Sequence, residues 1–262
     1  MSDSEDYDDY FNAALFLNEN YTNTEYVFND GIAQNLLSSK AASTDHDLTG
    51  QVVWPVSILL SWFVAANNEL FRGKNVLEVG AGAGLAGFVA SQFAAHTAIT
   101  DGNDVVLRLL TRNVEHTQAN CSIHKLLWGE EDSVVAFTQA FAHPIDIVLG
   151  ADVVCWPNLV LPLLRTIKYL MHQTPDMFAT VFYCGFVCRA TSTRDLLFAQ
   201  AKEMGFRLWT VDHDTFLPTP RPENVLSVKE LFLLGFRLDT TSPAATEPVA
   251  FLDDLENLQT AC

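Results

Sequence analysis

Cysteine is scarce in this chain and its count is odd: five residues in 262, namely Cys121, Cys155, Cys184, Cys188 and Cys262. That excludes a disulfide framework, and no CxxC pair is present to serve as a metal knuckle or redox motif. Positive charge is missing from both ends. No Lys or Arg precedes Lys40 and none follows Arg237, whereas 13 of the 32 acidic residues lie before residue 31 or after residue 238. The other 19 acids face all 15 bases, so residues 31–238 carry only −4 of the total −17. Neither the acidic ends nor the nearly balanced body suits a phosphate backbone, so no nucleic-acid partner is expected. Long apolar runs are lacking as well. The longest, Val52–Ala66, contains Pro55, Ser57 and Ser61 and falls short of the about 20 residues of a membrane span. The N-terminus is acidic where a secretory signal is basic, and it has no short apolar core. A monomer in the cytoplasm, or also the nucleus, with no membrane contact is expected.

Apolar material is nevertheless plentiful: 49% of the residues are hydrophobic, enough for a sizeable core. Residues 1–10 read as a disordered acidic tail and 240–262 as an acidic tail of the same kind. The domain is expected over 11–239, its first part (11–50) an extension of mixed character. Pro55 opens an apolar segment that suits a buried helix ending near Asn67-Asn68. An alternation follows. Strands are predicted at Asn75–Val79, Thr97–Thr100, Ser122–Trp128, Ile145–Gly150 and Phe178–Tyr183. Helices are predicted at Leu85–Ala95, Asp104–Gln118, Leu159–Met171 and Thr193–Gly205. Two last strands, Phe206–Val211 and Glu230–Leu238, have no helical pattern between them. The fold class is therefore α/β: a doubly wound, Rossmann-like sheet of seven strands, mostly parallel with an antiparallel closing strand.

The sharpest feature is Val76-Leu77-Glu78-Val79-Gly80-Ala81-Gly82-Ala83-Gly84-Leu85, a strand running into three alternating glycines and then a helix. In a doubly wound sheet this turn lies at the carboxyl end of the first strand, beside the ligand crevice. Glycines allow close backbone approach and positive φ, and the helix start offers N–H groups to an anion. Two cofactors could use it. Gly82, Gly84 and Gly87 formally satisfy the dinucleotide pattern GxGxxG, but begin two residues past the strand end. The other pattern is Glu78-x-Gly80-x-Gly82-x-Gly84. Asp101, at the end of the next strand, can accept ribose hydroxyls of either cofactor.

With Trp54-Pro55, Leu126-x-Trp128-Gly129 and Asp146-Ile147-Val148-Leu149-Gly150-Ala151-Asp152, this second pattern resembles one family. It is the seven-β-strand S-adenosylmethionine-dependent methyltransferases, and within them the non-histone protein lysine methyltransferases (methyltransferase-like 21 type). The similarity covers roughly residues 50–185. It implies S-adenosyl-L-methionine as cofactor and a lysine of an intracellular protein as acceptor. By position it implies that Trp54 lines the cofactor pocket and that Gly80, Ala81, Gly82 and Gly84 wrap the methionine part. Glu78 orders the loop, Asp101 holds the ribose, Trp128 sits against adenine and the Ala151 backbone lies near adenine and sulfonium. Two other readings remain open: a small-molecule N-methyltransferase, or an inactive cofactor-binding interaction protein.

Asp152 is the catalytic candidate, a carboxylate just past an apolar strand at the crevice rim. The alternative is a cap on the helix that Pro157 opens. In the family this acid begins Asp-x-x-Tyr; here the fourth residue is Cys155, with Trp156 next. The seven histidines show no ligand spacing with Cys or acids, so no metal is expected. The proline-rich loop Thr215–Val225 is expected to face the substrate.

Overall fold

The computed structural model describes residues 21–40, 46–226, 230–249 and 251. The expected tail at 1–10 lies outside them. Seven strands form one sheet: β3 (Asn75–Glu78), β4 (His96–Asp101), β5 (Ser122–Lys125), β6 (Ile147–Ala151), β7 (Val181–Val187), β8 (Phe206–Thr210) and β9 (Leu231–Leu238). Their spatial order is β5-β4-β3-β6-β7-β9-β8. β3, β4, β5, β6 and β7 are parallel, and β9 runs antiparallel to both its neighbours. The last two strands thus pair antiparallel at the sheet edge, with β9 lying between β7 and β8.

The six long helices are α1 (Pro55–Ala66), α2 (Leu85–Ala90), α3 (Asp104–Thr117), α4 (Glu131–Ala140), α5 (Pro157–His172) and α6 (Thr191–Glu203). Strand side chains alternate between two cores, as a pleated strand requires. Val76, Ile147, Leu149, Val181 and Tyr183 face the core containing α1, α2 and α3. Leu77, Val148, Phe182, Cys184 and Phe186 face the core containing α4, α5 and α6. α1 is buried on every side from Val56 to Ala65, which is why its sequence shows no polar stripe.

Several elements differ from expectation. α2 stops at Ala90, because the chain turns there (Phe93 N–H to the Ala90 carbonyl, 3.0 Å) to reach β4. β5 ends at Lys125 and Trp128 lies in the following turn, fixed by Gly129 N–H donating to Thr166 Oγ1 of α5 (2.9 Å). β7 begins at Val181 and runs to Val187, three residues later than the apolar run suggests. α4 was not anticipated; only Val134 and Phe137 of it are buried. A separate hairpin, β1 (Thr22–Val27) with β2 (Ala33–Ser38), occupies the extension. It is tied to α3 by Asn113, whose Oδ1 accepts from Leu37 N (2.7 Å) and whose Nδ2 donates to Leu37 O (3.0 Å).

Beyond β9 the chain does not leave the domain at 239. A single turn, Pro243–Thr246, docks on α5 and buries Ala245 completely. Lys168 Nζ donates to Ala244 O (2.6 Å), and His172 Nε2 lies 2.9 Å from Ala245 O. Residues 252–262 of the expected tail lie outside the described residues.

Candidate functional site

The switch point of the sheet lies between β3 and β6, whose onward helices pack on opposite faces. Ligands of doubly wound sheets bind outside the carboxyl ends of the strands at that point. Five expected features converge there: the glycine turn after β3, Asp101 ending β4, Ala151 ending β6, Asp152 just beyond it, and Trp128 after β5.

The glycine turn needs its glycines. Gly80, Gly82 and Gly84 have φ of 56°, 54° and 84°, left-handed values that side chains resist. A Cβ at Gly80 would stand 2.8 Å from Trp128 Cζ2 and 2.9 Å from Val153 Cγ1. Trp128 therefore lies flush against the turn. On the other side, a Cβ at Gly82 would meet the Gly50 carbonyl at 3.0 Å, so segment His46–Gln51 crosses the turn closely. Trp54 secures that segment: its Nε1 donates to Thr49 O at 3.1 Å.

Two acids lie beneath the turn and the helix that follows it. Asp101 Oδ2 accepts from Gly82 N (3.0 Å) and Oδ1 from Asn103 N (2.9 Å). Burial raises its pKa, opposed by these backbone N–H groups. Each oxygen keeps lone-pair capacity for a hydroxyl donor. Glu78 is 1% exposed, and burial pushes its pKa up to about 8 despite the N–H donated by Gly87. Its Oε2 accepts from Gly87 N at 2.8 Å, while the buried Oε1 has no hydrogen-bond partner. Glu78 thus orders α2 rather than the glycines themselves. One helix-start donor expected to face an anion, the Gly87 N–H, is consumed in doing so. The tight glycine cradle, the free capacity on Asp101 and the flanking indole fit an adenosyl cofactor with a ribose diol.

Asp152 does not cap α5. The residue preceding α5 is Trp156, and no side chain caps the helix. Asp152 takes φ of 61°, and its N–H donates to Gly185 O of β7 at 2.8 Å. Its carboxylate is 7% exposed and accepts two bonds from Arg189, Nη1 to Oδ1 at 2.7 Å and Nη2 to Oδ2 at 2.6 Å. Cys155 donates its thiol to Asp152 O (2.9 Å), and burial pushes its pKa up to about 12. Trp156 is 51% exposed at the same rim. Arg189 was not anticipated, because ending β7 at Tyr183 left it in a loop away from the rim. With β7 ending at Val187, Arg189 stands two residues beyond a strand terminus beside Asp152.

Asp146 lies at the opposite, amino ends of the strands, where its Oδ2 accepts from Asn75 N (2.9 Å). It ties the start of β3 to the segment that leads into β6. The loop Thr215–Val225 is anchored on the α1 side by buried Phe216, Leu217 and Val225, with Phe216 edge-on to Phe63. A cavity of about 620 Å³ lies beside the turns that lead into the amino ends of β4 and β5, lined by Asn23, Gln34, Gln92 and His116 among others. It is remote from the converging residues. Among the described residues no group of three or more His, Cys, Asp and Glu could hold a metal ion, and no helix is long and apolar enough to cross a membrane.

Residues 36–199 match a family model described as lysine methyltransferase. The Mus musculus protein N-lysine methyltransferase METTL21A is 30% identical over 168 residues, 62% of this chain and 71% of that protein. The Arabidopsis thaliana calmodulin-lysine N-methyltransferase is 34% identical over 133 residues, 48% of this chain and 42% of that protein. A T. thermophilus 16S rRNA methyltransferase, solved in complex with AdoMet and guanosine, shares the fold. Its TM-score is 0.55 at 14% identity, covering 83% of this chain and 50% of that one.

Proposed function

The chain belongs to the lysine methyltransferase family, and from that membership we propose that it methylates a lysine side chain of a protein, using S-adenosyl-L-methionine. The observation that carries this reading is the Gly80–Gly84 turn bonded to Asp101 at one side of the switch point, with Asp152 at the other. When bound, the cofactor supplies a sulfonium methyl group for in-line displacement by an amine. Such a reaction asks the protein mainly for alignment.

Asp101 receives the ribose hydroxyls on its remaining lone pairs, and Trp128 stacks along the adenine. Gly80, Ala81, Gly82 and Gly84 keep the methionine part close to the backbone. Ala151 lies near the adenine and sulfonium, and Trp54 lines the pocket by holding segment His46–Gln51 down. Asp152 faces the acceptor. A lysine must be uncharged when it attacks; removal from water lowers its pKa, and Asp152 pairs with the arriving ammonium and can accept its proton. The acceptor partner is a protein rather than a nucleic acid, and the enzyme acts as a monomer. The free thiols among the described cysteines suit a reducing cytoplasm or nucleus.

Labelled methyl transfer into cell lysate, followed by hydrolysis and separation of methyllysines, tests the reading. Wild type should yield labelled methyllysine, Asp101→Ala should lose cofactor binding, and Asp152→Ala should lose transfer while binding the cofactor within about 1 kcal/mol. Label confined to a small molecule would establish the small-molecule alternative. Cofactor binding without transfer would establish the interaction module.

A further inference from the structure

The carboxylate assigned to the acceptor amine is already engaged. Arg189 closes on it with both terminal nitrogens at 2.7 and 2.6 Å, the planar fork that binds carboxylates most firmly. Asp152 is nearly buried beneath it, whereas the Arg189 side chain is 45% exposed. The guanidinium therefore covers the carboxylate from the solvent side, on the route an acceptor must take. The unusual Cys155 makes this possible: its small thiol lets Arg189 Nη1 approach Sγ to 3.3 Å. Guanidinium cannot resolve the conflict by losing its proton.

A lone lysine ammonium arriving here must evict a better-matched cation and leave it without a partner. A lysine accompanied by a carboxylate meets a different situation. The substrate's acid can take Arg189 while its ammonium takes Asp152, so two ion pairs replace the one that is broken. Resting on the lysine-methyltransferase reading, we propose that Arg189 is a specificity-determining residue that selects lysines flanked by an acidic side chain, through this exchange of partners.

The test uses the full chain saturated with S-adenosylhomocysteine and two short lysine peptides differing only by Glu or Gln beside the lysine. Binding is read by fluorescence anisotropy, and KM and kcat are measured with S-adenosylmethionine. Wild type should prefer the Glu peptide about tenfold, mainly in binding and KM. Arg189→Gln should abolish the preference, and Arg189→Lys should keep part of it. If Arg189 only braces the fold, Arg189→Gln will lower Tm and kcat for both peptides with the preference intact, which overturns the proposal. Equal use of both peptides by wild type overturns it too, while leaving lysine transfer standing. Failure of wild type and variants alike to bind or methylate either peptide, or any lysine in lysate, defeats the lysine reading and this proposal together.

Discussion

Glu78 sets a pH dependence that a surface acid does not have. Its pKa in the folded chain is pushed up to about 8 by burial, against about 4.3 in an unfolded chain. The folded state therefore holds a proton that the unfolded state releases. The resulting stability is fully present below the ordinary carboxylate range and is lost as pH rises toward 8, with a slope of up to about 1.4 kcal/mol per pH unit. Glu78→Gln keeps an acceptor for the Gly87 N–H and removes the titration. Thermal unfolding between pH 5 and pH 8 should show wild-type Tm falling more steeply than that of the variant. Parallel profiles would show that Glu78 is ionised in the fold. At this scale the sequence was most informative. Gly80, Gly82, Asp101 and Asp152 each terminate or follow a strand, so their place at the rim could be read from the alternation alone. What could not be read was which donors these acids already hold: Gly87 for Glu78, and Arg189 for Asp152. Both partners come from elsewhere in the chain, fixed by where a helix starts or a strand ends.

Elements were legible where one face is apolar and illegible where hydrogen bonding replaces burial. In the hairpin β1–β2, burial alternates along β2 but falls on Gln34 and Ser38 as well as Leu36, so the sequence shows no apolar alternation. α4 buries only two residues and left no periodic stripe. The turn Pro243–Thr246 was hidden for another reason. Its composition is that of a tail, yet its carbonyls satisfy Lys168 and His172 of α5. Close approach there also requires Gly205, where a Cβ would meet Ala245 N at 2.3 Å. Lys168 is only 4% exposed, and truncation after residue 239 removes its carbonyl partner. The lost charge-assisted hydrogen bond and the lost Ala245 burial should together cost about 2–4 kcal/mol. In a domain of this size that corresponds to a fall in Tm of about 5–15 °C. Scanning calorimetry of the 1–239 chain checks it; an unchanged Tm would mean that the docked turn contributes nothing.

At the scale of the whole molecule, the ligand crevice is built from stretches distant in sequence: the glycine turn, segment His46–Gln51 and the rim after β5 and β6. Anything that binds the folded chain alone raises its apparent stability by mass action. S-adenosylmethionine and S-adenosylhomocysteine, each at a hundred times its Kd, should add about 2.7 kcal/mol. NAD and NADP should shift Tm by nothing measurable, and a shift with NAD would return the glycine turn to the dinucleotide class.

The position of β9 has its own consequence, for synthesis. The strand pairs with β7 along Phe182–Val187, but residues 188–230 must be made before its first residue appears. At about 5–20 residues per second, the apolar margin of β7 waits roughly 2–9 s for its partner. β8 emerges in that interval, but in the finished sheet it pairs with β9 and not with β7. The nascent chain thus carries an open, sticky strand edge until β9 is made, and the sheet is closed from within, between two strands synthesised before it.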